Sequence, residues 1–533
     1  MTPPPAKAAE SSLDAEPIAL PVARVAGLPA RAGLLRLLAL LPALAFVAVV
    51  LAPPMNHDVA AVLNFAERWL AGERLYRDLI DVNPPLVFII TLVPAALAAW
   101  TPLDGPESLL ICMLALCAGL WRLTHALRRG RAEGPIEAAT LSAVIPLLLV
   151  MAGYDFGQRE HLMAICAIPY ALLAARRIEG LHTGRTLAIG VTLLAAIAFS
   201  LKPHFLAVPV LIEGFVLLKR GPRRALADPL PWLMALVWVL YLASIPLLFP
   251  DYFGYVVPLV WQYYTDLGIY DVWGVLLSPV LGPAVLVMLC AIGIGFRPLG
   301  SNLPNLLLLA AVGAFISAWV QHKGWSYHAI PVIMLSCATI AAAAAHWLDS
   351  VVTPVRRPGA GRAFAVVIAA AIALFAARGE APWREIWFTH HIAHRLTNLI
   401  RAEAYGERVL VLSPDIYPVY PALNYGRAQM TLRTMNLWLL QGANRTCPAS
   451  GERYRQTWEM SRAEFFVYRT VAEDFAAAPP AAVLVASNPG IPWCVSEFDF
   501  IEYFSRHPLF AETWAHYREG GRIDNYRLFV REN

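Results

Sequence analysis

Residues 34–58 read LLRLLALLPALAFVAVVLAPPMNHD. Leu34 to Leu51 form an apolar run long enough to span a bilayer at about 1.5 Å per residue. An acid, Asp58, stands close behind the point where the chain leaves that run. No small-residue cleavage site follows it, which predicts a signal anchor rather than a cleaved signal peptide. Ahead of the run, residues 1–32 are rich in Pro and Ala without a helical period. They are read as a disordered cytoplasmic tail.

The rest of the chain extends this pattern. Of 533 residues, 58% are hydrophobic and 15% charged, against about 25% charged in soluble proteins. That balance excludes a disordered or fibrous chain and argues against a soluble enzyme. A net charge of +4 gives no reason to expect nucleic acid as a partner. Eleven more apolar blocks lie near 85–103, 107–121, 136–152, 161–175, 186–201, 203–218, 230–249, 273–296, 304–320, 328–347 and 363–377.

Basic residues cluster at Arg122/Arg128/Arg129/Arg131, Arg176/Arg177/Arg185, Lys219/Arg220/Arg223/Arg224, Arg297 and Arg356/Arg357/Arg362. Short cytoplasmic loops collect such residues. All five clusters fall on one side only if one early block fails to cross. Block 85–103, bracketed by Pro84-Pro85 and Pro102 with Pro94 inside, is the choice, read as a helix in the outer interface. The fold class is thus a polytopic α-helical membrane protein with about eleven transmembrane helices plus interfacial helices, its N-terminus cytoplasmic. Asn56–Pro85, Tyr154–His161, Lys202–His204, Pro250–Asp271 and Gln321–His328 then share the outer face. Ionisable groups so near a bilayer cost a few kcal/mol unless they line a wet cavity, so a shared extracytoplasmic cavity is expected.

Residues 33–378 form the membrane domain, with a first outer loop at 54–106. Residues 379–533 are different, with 16 Arg and 17 Asp or Glu and no span-length apolar run. Arg408–Ser413 and Ala482–Ser487 read as strands, and Trp514–Val530 as a hairpin around Gly520-Gly521. This is expected to be a C-terminal extracytoplasmic α/β domain. Cys447 and Cys494 are its only cysteines. An oxidising compartment predicts a disulfide between them, two buried thiols being the alternative.

The first outer loop, residues 56–86, reads NHDVAAVLNFAERWLAGERLYRDLIDVNPPL. Val62, Phe65, Ala66, Trp69 and Leu70 make a helical stripe suited to an interfacial helix, with Glu67 and Arg68 on a solvated face. This arrangement resembles the GT-C class of membrane glycosyltransferases, in particular the protein O-mannosyltransferase and lipid A aminoarabinose transferase group. That class places an acid after the first span, then an interfacial helix, a Gly-x-x-x-Tyr-x-Asp segment and a Pro-Pro-Leu segment. Asp58, Gly72–Asp78 and Pro84-Pro85-Leu86 stand at those places. The motifs cover roughly residues 34–180, and the remainder is similar by topology. Two positions depart: Val59 replaces the usual acidic partner, and Asn83 replaces the Lys that often precedes the Pro-Pro.

The resemblance implies a polyprenyl-phosphate sugar as donor and a cell-envelope glycan, glycolipid or protein as acceptor. It implies transfer on the periplasmic face of a bacterial inner membrane, with inversion. No cofactor and no metal are expected. Such a reaction needs a base for the acceptor hydroxyl and cations for the phosphate as charge builds on it. Asp58 is the candidate base, or else a helix-capping Asp. His57, Tyr76, Asp78, Asp81, Asp155 and Glu160 are candidates for positioning donor or acceptor. Asp78 and Asp81 serve equally well as caps or as partners of Arg74 or Arg77. The phosphate candidates are Arg159, Lys202, His204, His322, Lys323, Tyr327 and His328, with Arg159 alternatively paired to Glu160. The lysines alternatively snorkel. Gln262, Tyr263, Tyr264 and Asp266 read as an interfacial belt, with stacking on a sugar as the alternative. A polyprenyl-linked substrate flippase and a non-catalytic assembly protein are the rival functions.

Overall fold

The structure, a computed structural model, describes residues 29–264, 270–295, 301–377, 384–492 and 494–532. Most of the expected N-terminal tail, Asp266, Arg297 and the boundary at 378–379 lie outside these residues.

The N-terminal part is helical. Its first helices are α1 (Pro29–Leu51), α2 (His57–Leu70), α3 (Leu86–Trp100), α4 (Gly105–Arg128) and α5 (Pro135–Val150). There follow α6 (Arg159–Ile178), α7 (Arg185–Phe199), α8 (Ala207–Arg220), α9 (Pro229–Leu248), α10 (Leu281–Gly295), α11 (Leu303–Gln321), α12 (Ser326–Val351) and α13 (Arg357–Ala377). Among the described residues, α1, α4, α6, α9, α11, α12 and α13 are long and apolar enough to cross a membrane. Helices α3, α5, α7 and α10 are apolar but shorter. Helix α8 belongs to neither group. Its 14 residues extend about 21 Å and include Glu213, Lys219 and Arg220. The chain is a multi-pass membrane protein.

Local chemistry sets the helix starts. Asp104 and Glu107 form a reciprocal capping box on α4, satisfying two of its orphan amides. Pro135 and Pro229 occupy first-turn positions where no amide hydrogen is needed. Helices α6 and α12 are the central pair, almost wholly enclosed by protein, whereas α9 exposes most of its apolar surface. Helix α11 presses against α8 at Gly313, where an added Cβ would come within 2.6 Å of the Val208 Cα.

The C-terminal part carries a five-stranded sheet in the order β2-β1-β3-β5-β4, built from β1 (Arg408–Leu412), β2 (Gln429–Met430), β3 (Ala482–Ala486), β4 (Tyr517–Ile523) and β5 (Tyr526–Arg531). Strands β2, β1 and β3 are parallel, and β5 runs antiparallel to β3 and β4. Helix α14 (Ile392–Glu403) packs on α15 (Val419–Gly426) beside it. Cys447 and Cys494 are joined in a disulfide spanning 47 residues.

The final hairpin turns at Asp524-Asn525, not at Gly520-Gly521. Asp524 takes the left-handed conformation (φ 47°), which short polar residues tolerate. The two glycines sit inside β4, where the register slips between Glu519 and Gly521, the usual setting of a bulge.

This domain rests on α2, which corrects the expectation for Arg68. Its guanidinium is 2% exposed, donates to the Leu432 carbonyl at 2.8 Å and pairs with Glu73 at 2.6 Å. The covering domain was not visible in the α2 sequence. Asn424 donates to the Ala60 carbonyl and the Ile80 amide to the Arg433 carbonyl, so the first loop and the C-terminal domain form one continuous interface.

Candidate active site between the first loop and the C-terminal domain

The site begins at the start of α2. Asn56, not Asp58, caps this helix: its Oδ1 accepts from the Asp58 amide at 2.9 Å and the Val59 amide at 3.4 Å. The same side chain donates to Asp155 Oδ1 at 3.1 Å and accepts from Gln158 Nε2 at 2.8 Å. Asn56 therefore fastens α2 to the turn ahead of α6. With the cap filled by its neighbour, the Asp58 carboxylate is left to face the interior. Its Oδ2 accepts from Gln158 Nε2 at 3.0 Å and lies 3.9 Å from Arg159 Nη2.

Asp58 and Arg159 stand on a wall shared by two cavities. One, of about 510 Å³, is the more polar of the two and lies under the C-terminal domain. His57, Asp81, Asn83, Tyr264, Trp325 and Tyr327 line its membrane side. Asp415, Tyr417, Asn436, Trp438 and Gln441 line the opposite side. The other, of about 300 Å³, is apolar and lies among α2, α3, α4 and the start of α6, walled by residues such as Val62, Ile90, Pro94, Leu109 and Met113. Val59 belongs to this apolar wall.

Several sequence candidates meet here. Asp81 is 7% exposed, and its Oδ1 accepts from the Asn83 amide at 2.8 Å and side chain at 2.7 Å. Loss of hydration raises its pKa above the ordinary carboxylate value. Asn83 Oδ1 in turn receives Arg159 Nη1, so the guanidinium is aimed by a residue of the first loop. Tyr76 sits behind Asn83, donating to its carbonyl at 2.6 Å, with its ring against Phe249 and Tyr252. It shapes the loop without reaching the cavity. His57 lines the cavity and shares its Nδ1 with the Tyr154 hydroxyl at 2.9 Å.

Other candidates are not brought to the cavity. Asp78 is tied to Arg74 at 2.8 Å on the surface, and Arg77 to Asp251 at 2.7 Å. Asp155 is buried behind the wall, bonded to Asn56 and Ser326. Glu160 holds Lys202 Nζ at 2.5 Å, with His328 at 3.7 Å. Lys202 also donates to Gln321 at 3.0 Å, and burial outweighs the pull of Glu160, drawing it down to about 8. This cluster is sealed: Glu160 and His328 are 1% and 3% exposed. His204 beside it is lowered to about 4 by burial and by Lys202, so it is uncharged at neutral pH. His322 turns its Nδ1 back to the Val320 carbonyl. Lys323 donates to the Tyr264 carbonyl at 2.7 Å and lies over the Tyr264 ring at 3.4 Å. Of the proposed phosphate ligands, Arg159 and Tyr327 line the polar cavity.

Sequence reasoning missed the roof. Asp415 and Tyr417 follow β1, and Asn436 follows β2. Ligands of parallel sheets gather at the carboxyl ends of the strands, so the Ser413-Pro414-Asp415 turn after a buried strand was the available signal.

No protein-family model matches this chain, and no curated protein matches it. Solved structures do. The crystal structure of ArnT from Cupriavidus metallidurans bound to undecaprenyl phosphate is similar, with a TM-score of 0.56 and 12% identity, over 94% of this chain and 98% of that one. The apo state of the same protein gives 0.55 and 11% over the same shares. The likeness runs through both the helical part and the C-terminal sheet, and it gives this chain an ArnT-like fold.

Proposed function

We propose that this protein is a membrane glycosyltransferase that moves a sugar from a polyprenyl-phosphate donor to a hydroxyl of a cell-envelope glycan, glycolipid or protein. The observation that carries this reading is the pair Asp58–Arg159 on the wall between an apolar and a polar cavity. A polyprenyl-phosphate sugar has this same polarity: hydrocarbon, then phosphate, then a polyol. The apolar cavity takes the first isoprene units, Arg159 the phosphate and the polar cavity the sugar. The ArnT structure holding undecaprenyl phosphate supports the same class of lipid here.

In the reaction, the acceptor oxygen attacks the anomeric carbon while its proton passes to Asp58. The bond from that carbon to the phosphate oxygen breaks, and polyprenyl phosphate leaves with the bonding electron pair. Arg159 meets the charge that gathers on the leaving phosphate, in a place screened from water. The attack comes opposite the leaving group, so the configuration inverts. Asn83 keeps the guanidinium aimed and Gln158 keeps the carboxylate aimed, and both stay in place through the step. Arg159 then supplies a cation beside Asn83, where relatives by motif often carry Lys. Eleven spans with the site on the periplasmic side complete the reading.

The test uses purified protein, a polyprenyl-phosphate sugar and an envelope extract as acceptor. Wild type transfers the sugar, and Asp58→Asn, with an unchanged melting temperature, does not. Turnover by that variant near the wild-type rate would remove Asp58 from the base role.

A further inference from the structure

A third cavity lies at the other end of the helical bundle. Its volume is about 580 Å³, larger than either cavity at the candidate site, and α1, α4, α5 and α13 line it. Arg36 on its rim is 15 residues before the end of α1, about 22 Å along the helix axis, and Asp58 lies beyond that end. The two regions share no lining residue.

The lining has a definite sign. Arg36 comes from α1, His125 and Arg128 from α4, and Arg362 from α13, with no Asp or Glu among the lining residues. Arg128 is already committed: it pairs with Glu133 at 2.8 Å and donates to Ser142 and to the Ala138 carbonyl. Arg362 uses only its Nε, on the Pro358 carbonyl at 2.9 Å. Its two terminal nitrogens, and the side chains of Arg36 and His125, have no hydrogen-bond or ion-pair partner among the described residues. Deeper in, Leu40, Leu141 and Ile145 make the walls apolar. Cations at the mouth over an apolar interior, between apolar helices of the bundle, match one ligand chemistry: a phosphate ester attached to hydrocarbon.

We propose that this cavity is a binding site for an anionic phospholipid of the leaflet opposite the candidate active site. The headgroup phosphate sits between Arg36 and Arg362, and one acyl chain lies against α1 and α5. Charge complementarity selects an anionic lipid over a zwitterionic one, because a choline headgroup would bring a third cation to the two arginines. The inference rests on the multi-pass fold and not on glycosyl transfer, so it stands or falls apart from the proposed activity.

Full-length protein in mild detergent is titrated with phosphatidylglycerol, phosphatidylcholine or inorganic phosphate, and retained lipid is read by native mass spectrometry. Wild type is expected to retain phosphatidylglycerol on the order of tenfold more tightly than phosphatidylcholine, as two surface arginines supply. The double variant Arg36→Gln/Arg362→Gln loses that preference, while Arg223→Gln, an exposed arginine outside the cavity lining, keeps it. Equal retention of the two lipids by wild type overturns the proposal, and so does an undiminished preference in the double variant. Displacement of phosphatidylglycerol by millimolar inorganic phosphate also overturns it, since that marks a plain anion site. The wild-type comparison decides the matter even if the double variant is poorly folded.

Discussion

Two carboxylate–cation pairs lie one residue apart at the start of α6, and they are built in opposite ways. Arg159 stands 3.9 Å from Asp58 on the wall of an open cavity. Glu160 holds Lys202 at 2.5 Å in a closed interior. A tight, sealed pair has spent its charges on each other. A loose pair facing a cavity retains field to offer a ligand. The difference teaches that burial of the carboxylate and partner distance, more than residue type, separate a pair left open to a ligand from a pair that holds the fold.

The contrast can be broken at its cavity-facing half first. Asp58→Asn is expected to lower transfer by about 10²–10⁴-fold, the range of a lost general base, with KM for the donor nearly unchanged. Arg159→Met is expected to act on the donor as well, raising its KM and lowering kcat. A variant that changed neither would erase the distinction between the two pairs.

The sealed half should respond in stability. Lys202→Met strands Glu160 and is expected to cost about 3–5 kcal/mol of stability, read as a large fall in melting temperature. Adding Glu160→Gln should restore most of that loss, because the orphaned charge is gone. Failure of the double variant to recover would mean that Lys202 serves the cavity after all.

The roof offers a milder probe. Asn436 and Gln441 line the cavity on the side of the C-terminal domain, so Asn436→Ala and Gln441→Ala are expected to bring a few-fold rise in KM with kcat retained. Loss of kcat would draw the C-terminal domain into the chemistry.

The smallest effect concerns Glu67, which is pushed up to about 7 by burial and by Asp104. A carboxyl with a raised folded-state pKa takes up a proton on folding between its ordinary value and 7. Stability therefore falls as pH rises through that window and is level above it. Glu67→Gln should flatten this slope, seen as a modest gain in melting temperature at pH 8 and none at pH 4.

Much of the fold was legible because membrane spans announce themselves by composition. The apolar blocks, the strands at Arg408 and Ala482 and the position of Asp58 after the first span all follow from local pattern. Asp81 and Arg159 were legible as charges in outer segments. What failed was tertiary. Nothing in Lys202-Pro203-His204 reveals that Glu160 waits 42 residues earlier to neutralise the lysine. Arg68 reads as solvated because the domain that covers it is more than 300 residues away. Gly520-Gly521 reads as a turn because a bulge uses the same residue.

The seam between the first loop and the C-terminal domain, closed by the Ile80–Arg433 hydrogen bond, also orders events in time. Asp58 is synthesised before Asp415 and Asn436. A growing chain thus carries its acid unroofed while the intervening helices are made, and the chamber closes only once the C-terminal domain is in place. Under the proposed function, assembly itself acts as the switch: a chain stopped before Asp415 has no enclosed chamber in which to react.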